Sequence, residues 1–304
     1  MFALILYLLV LYYSHFFMLL FHQGSPMLNK ELLVKKHYLE ELKPLGQTFV
    51  QGDQSPEVKK IKEWLMLWEL IDNDVSQAIE LNEVFDEQAT ILVKATQKFL
   101  NLPVTGEVDA KTWSEFLMPL RNAFDLDVPQ TMDLRQRMRY FASRHLQYHA
   151  AELLEDNIGP WVRSYMIGGY DGTRAYWCQA FASTILDQAF SSFDKCFTDY
   201  YINTDACEYL RRDARKHGLL YDHQALKSGE YVPQIGDIVL YLIGDKNEAH
   251  HTEILYEVLD QQSGKMRTIG GNTNFVGSRN GVGVFLVDRN FLAQNVEIVK
   301  LVDI

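Results

Sequence analysis

The sequence predicts an α+β protein in two parts: a small N-terminal bundle of three helices, then a larger unit in which a helix-borne cysteine faces an antiparallel sheet. Three observations lead there. Apolar residues recur at three- and four-residue steps between Ser55 and Leu117, the spacing of short amphipathic helices. From Gly236 onward the text shifts to short β-branched runs separated by turn residues, the pattern of strands joined by tight connections. The chain has 304 residues, enough for two hydrophobic cores at roughly 100 to 200 residues each.

Composition narrows the function classes. Hydrophobic residues make up 47% and charged residues 23%, close to the globular average, so the bulk of the chain folds. Lys plus Arg total 29 against 40 Asp plus Glu, a net charge of −11, which excludes a surface built to neutralise phosphates and so argues against nucleic acid as a partner. Three cysteines lack the paired spacing of a zinc site and allow at most one bridge, leaving one thiol over.

Residues 1–26 form a hydrophobic N-terminal segment. Its first 21 residues hold 19 apolar side chains, interrupted by Ser14 and His15, and the first charge is Lys30. That length spans a bilayer and allows membrane contact through residues 1–21. A cleaved signal would carry a basic start and a small-x-small exit, and neither is present; Lys30, Lys35 and Lys36 after the run would hold the rest inside by the positive-inside rule. The alternative is translation from Met27 and a chain that is cytoplasmic before export.

The helical part lies within residues 50–120. Ser55, Pro56 and Glu57 read as N-cap, N1 and N2 of a helix whose Val58, Ile61, Leu65 and Trp68 form one stripe. A second helix runs from about Asp86 to Leu100, with Ile91, Ala95 and Phe99 on one side beside Leu92, and stops before Pro103. Gly106 supplies a turn with positive φ, and Asp109 caps a third helix whose Trp113 and Leu117 point inward. Ala95, Gln97, Phe99, Leu102, Pro103, Thr105, Gly106, Asp109, Thr112 and Trp113 together resemble the closing signature of the three-helix peptidoglycan-binding domain. That resemblance implies peptidoglycan as a partner. The family's usual Gln in the first helix is replaced by Lys62, and its Gly-rich turn by NEVFDEQA.

Residues 131–154 read as one helix. His145 and His149, four apart, face a metal or are two ordinary, partly exposed helix histidines; no HExxH pattern accompanies them. Gly168, Gly169, Asp171 and Gly172 then mark a turn, and Ala180, Phe181, Thr184, Ile185 and Ala189 a helical stripe, which puts Cys178 in the first turn of a helix. The free N–H groups and dipole there favour a thiolate. Strands are expected at 236–243, 251–259, 265–270, 283–289 and 296–302, with Asp260–Lys265 as a hairpin. Pairing across that hairpin brings His251 near Asn272. A Cys, a His and an Asn so placed make a nucleophile, base and orienter.

Asn157, Gly159, Val162 and Tyr165, then Trp177-Cys178-x-Ala180-Phe181, Gly236-Asp237-Ile238-Val239, His251-x-x-Ile254-Leu255 and Gly270-Gly271-Asn272 resemble the CHAP family, NlpC-type cysteine amidohydrolases and peptidases, over residues 131–304. The resemblance implies a papain-like fold and a peptidoglycan hydrolase of the cell envelope, an N-acetylmuramoyl-L-alanine amidase or a stem-peptide endopeptidase. It also implies catalytic Cys178, His251 and Asn272, with no cofactor and no metal. His251 rather than the adjoining His250 follows from family register. Two departures stand out: Glu253 occupies a position where the family has a small residue, on the same face as His251, and Gly270 stands where many members carry Glu. A wall-binding protein whose hydrolase site has drifted is the alternative they suggest. Cys196 and Cys207 pair or stay free, and residues 209–218 read as a solvated basic helix.

Overall fold

A computed structural model describes residues 29–71, 79–125, 128, 130–153, 157–243 and 248–304. The apolar run at 1–21 lies outside these, and no helix among the described residues is long and apolar enough to cross a membrane.

After a short helix α1 (Tyr38–Glu41) come α2 (Pro56–Ile71), α3 (Glu87–Phe99) and α4 (Ala110–Phe116), with α3 and α4 both packed on α2. The helix starts obey their caps. Asp86 accepts from the Ala89 N–H and Asp109 from the Thr112 N–H, each at 2.7 Å. In α3 the buried side is Ala89, Leu92, Val93 and Thr96, one step round from the expected stripe, and Ile91 is exposed. The helix turns that way because Gln97, fully buried, faces the connection to α4. Its Oε1 accepts from the N–H groups of Thr105 (3.0 Å) and Gly106 (2.9 Å), and its Nε2 donates to the Glu107 carbonyl at 2.9 Å. Lys62 fills the place of the family's Gln by charge: its buried ammonium donates to Asn82 and Asp86, at 2.9 and 2.6 Å, and ties α2 to the loop before α3. Replacing Gln97 by Ala strands two N–H groups and a carbonyl. It is expected to lower stability by about 3 kcal/mol, read from a urea midpoint shift.

Helix α5 (Met118–Phe124) leads to α6 (Leu134–Gln147), shorter than the expected 131–154 because the chain turns at His149, which adopts φ 52. Helices α7 (Pro160–Tyr165), α8 (Cys178–Ser191), α9 (Cys207–Lys216) and α10 (His223–Ser228) follow. The sheet comprises β1 (Leu220–Tyr221), β2 (Ile238–Ile243), β3 (Glu248–Asp260), β4 (Lys265–Thr273), β5 (Gly283–Asn290) and β6 (Val296–Val299), in the order β1-β6-β2-β3-β4-β5 and antiparallel throughout. The five strands read from the sequence are present; β1, two residues long, is too short to leave a period. Helix α8 lies on β3 and β4 with α6 against its other side, so it is buried all round.

The two parts are not beads on a string. Their buried side chains form one continuous core, in which Trp64 of α2 meets Trp161 of α7 at a 6.3 Å centroid separation. Arg163 of α7 bonds Glu41, Glu63 and Asp171 at 2.6–2.8 Å, tying α1, α2 and the Gly-rich turn together. His145 corrects the expectation of a partly exposed histidine. It is fully buried between Tyr165 Oη (2.7 Å) and Gln188 Oε1 (3.0 Å), and burial, only partly opposed by the Gln188 bond, pushes its pKa down to about 3. It is a neutral core bridge. The basic helix is likewise not wholly solvated: Arg211 is buried and paired with Glu297 at 2.6 Å.

Candidate active site

Cys178 is the first residue of α8. The turn before it runs through Gly168, Gly169 and Gly172, all at positive φ, so the chain doubles back tightly enough to aim the helix N-terminus at the sheet. Trp177 is locked beside it: its indole N–H donates to buried Glu152 at 2.7 Å, and its ring stacks on Tyr165 at 5.2 Å. Gly271 of β4 lets this ring in, since a Cβ there would lie 2.5 Å from the Trp177 ring.

The strand opposite supplies the imidazole. Within β3, His250 points to solvent and His251 is fully buried, as alternation along a strand requires. His251 Nε2 lies 3.1 Å from Glu253 Oε1, two residues on and on the same face. The Glu253 carboxylate also accepts from Tyr241 Oη (2.7 Å), Thr268 Oγ1 (2.6 Å) and Arg289, whose Nη2 and Nε lie at 2.6 and 3.0 Å. Burial raises the carboxyl's proton affinity, but the bonds from His251 and Arg289 outweigh it and hold Glu253 well below the usual carboxylate range. An ionised carboxylate only accepts, so His251 carries a proton on Nε2, and Nδ1 is the nitrogen left to exchange one. Nδ1 is buried without a hydrogen-bond partner of normal geometry.

The Cys178 thiol and the His251 ring perturb one another. A hydrogen bond from Cys207 is the largest influence depressing the Cys178 pKa; against the cost of burial, His251 and the Thr252 N–H add to it, leaving the thiol well below its ordinary value. For His251, burial works downward and is overcome by Cys178 and Glu253, which raise it to about 9. Thiolate and imidazolium are the states this pocket favours. A lowered thiol pKa beside a raised imidazole pKa is a combination that can support nucleophilic attack followed by leaving-group protonation.

Asn272 is buried in a left-handed conformation at φ 52. Its amide bonds elsewhere than the ring: Nδ2 donates to Asn157 Oδ1 at 2.9 Å and Oδ1 accepts from the Gly281 N–H at 3.1 Å. The group that touches His251 is therefore Glu253, which strand alternation already put on the same face. Gly270 explains how it fits. The β3–β4 register pairs Ile254 with Ile269, so Glu253 lies opposite Gly270, and a Cβ at 270 would approach Glu253 Cγ to 2.7 Å. Gly270→Ala is expected to displace Glu253 and cost about 1–3 kcal/mol, read from thermal unfolding.

Cys207, the first residue of α9, was expected to pair with Cys196 or stand free. All three thiols are free, and Cys207 Sγ lies 3.7 Å from Cys178 Sγ, with Thr252 Oγ1 at 3.0 Å from it. Periodicity gave no sign of this contact, which joins the starts of two helices. The pocket is closed, with Cys178 3% exposed and His251 not at all. Among the described residues, no group of three or more His, Cys, Asp or Glu side chains is arranged to hold a metal ion.

No curated protein and no solved structure matches the chain. Residues 54–115, which contain α2, α3 and all but the last residue of α4, match the family model described as "Putative peptidoglycan binding domain". The chain thus carries a peptidoglycan-binding domain, packed against an α+β unit, which points to the cell wall or envelope.

Proposed function

We propose that the protein is a peptidoglycan hydrolase that cleaves an amide bond, as an N-acetylmuramoyl-L-alanine amidase or a stem-peptide endopeptidase. The observation that carries this reading is the buried Cys178 at a helix start, electrostatically coupled to a His251 whose Nε2 lies 3.1 Å from Glu253, beside a domain that matches a peptidoglycan-binding family. A helix bearing a cysteine at its start and packed on an antiparallel sheet supports reading residues 131–304 as a papain-like, CHAP-type domain. Cys178 sulfur attacks the amide carbonyl, and the oxyanion takes hydrogen bonds from backbone N–H groups at the start of α8. Protonated His251 gives its Nδ1 proton to the departing amine, leaving a thioester. Water, deprotonated by the now neutral ring, then releases the acid and restores the thiolate–imidazolium pair. Glu253 holds the ring, and Asn272 holds the β4–β5 connection through Asn157 and Gly281.

A second reading is favoured by the enclosure of Cys178: a wall-binding protein that retains a hydrolase-like fold without turnover. The full chain incubated with purified sacculi separates the two. Release of soluble fragments bearing a new amine supports the hydrolase, and mass analysis of that amine names the bond; sedimentation with sacculi and no release leaves the binder.

A further inference from the structure

The geometry points to a second chemistry at the same sulfur: we propose that Cys178 and Cys207 are a peroxide-responsive dithiol that closes to a reversible disulfide, with Cys207 as the resolving thiol. The two sulfurs are 3.7 Å apart and unbonded. A disulfide is about 2.05 Å long, so the gap closes by roughly 1.7 Å, the scale of a side-chain rotation. Each cysteine is the first residue of its helix, so loop backbone precedes both: the Gly-rich turn before Cys178 and residues 202–206 before Cys207. A side-chain rotation at these two helix starts brings the sulfurs together without breaking a helix interior.

The chemistry balances with a hydroperoxide as oxidant. Cys178 thiolate attacks the O–O bond, forming a sulfenic acid and releasing an alcohol or water. Cys207 sulfur then displaces the sulfenic oxygen as water, forming the S–S bond. Two thiols lose two electrons to one peroxide. The sharing of one proton between the sulfurs keeps Cys178 as the more anionic partner and Cys207 as the protonated one, which sets the order of attack. Cys196 is engaged elsewhere, its sulfur 3.0 Å from Thr198 Oγ1. Closure would take the nucleophile out of use and protect it from irreversible over-oxidation.

The cross-link needs only the sulfurs, so it is read on the protein without any substrate. The reduced full chain is treated with a small excess of hydrogen peroxide, alkylated and digested without reductant. The expected result is a linked Cys178–Cys207 peptide pair about 2 Da lighter than the reduced pair, with both thiols recovered after dithiothreitol. In Cys207→Ser, Cys178 should instead advance to the sulfinic acid, which dithiothreitol does not reverse. Recovery of sulfinic Cys178 with an alkylatable Cys207 in the native chain, or a Cys196–Cys207 link, overturns the proposal. Should Cys207→Ser fail to fold, Cys196→Ser gives the same decision by retaining only the two sulfurs in question. A chain that cross-links but never cleaves sacculi refutes the hydrolase reading and leaves this one standing; a chain that cleaves and does not cross-link does the reverse.

Discussion

Cys178→Ala is expected to reduce fragment release from sacculi at least 10³-fold while leaving sedimentation with the wall intact. Removing a nucleophile abolishes the covalent path entirely and leaves only what binding and the helix tip contribute, which in comparable triads is a residual many orders below the native rate. Wall binding should persist because the matched module, residues 54–115, does not include the cysteine. The fold should persist too: the side chain is small, and its loss costs about 1–2 kcal/mol of packing. Equal fragment release by the variant and the native chain would end the case for this sulfur as nucleophile.

The second large effect is electrostatic. Glu253→Gln removes the negative charge that helps raise His251 to about 9, so the ring should lose its proton at lower pH. The sign follows from linkage. The pKa of His251 is raised above its ordinary 6.5, so its contribution to stability is complete below that value and fades as pH climbs through about 9. Cys178 is depressed, so its contribution is present above the ordinary thiol range and is lost as pH falls through its lowered value. Reaction of Cys178 with iodoacetamide, followed against pH, reports both limbs without any wall substrate. In the native chain the thiolate–imidazolium pair should persist to about pH 9. In Glu253→Gln the alkaline limb should move to lower pH, and Arg289, losing the carboxylate it grips with two nitrogens, should destabilise the fold by about 3 kcal/mol. An unmoved alkaline limb would show that Glu253 does not govern the ring.

Both experiments test groups that differ in how legible they were. Cys178 at a helix start and His251 on a strand could be read from period and turn residues, because a buried helix and an alternating strand leave marks every few positions. The caps at Asp86 and Asp109 were legible for the same reason: a cap acts on a neighbour three residues away. Glu253 was placed on the right face, where a carboxylate either crowds the ring or raises its pKa; the second holds, because the cradle of Tyr241, Thr268 and Arg289 that satisfies it comes from three other points in the chain. The orientation of α3 was misjudged by one step because Gln97, a polar residue, is buried, and a hydrophobic stripe does not count polar side chains.

By itself, then, the sequence determined the α+β plan, the three capped helices of the wall-binding part, the strand succession and the helix-borne thiol, all properties set by interactions among near neighbours. Only the tertiary structure decided that Cys207 adjoins Cys178, that Asn272 turns toward Asn157 and Gly281 while Glu253 holds the ring, and that the binding module shares its core with the larger unit through Trp64 and Trp161. These depend on which distant surfaces meet when the chain closes on itself. Such contacts carry no periodic trace, because nothing within a few residues of either partner needs to change to allow them.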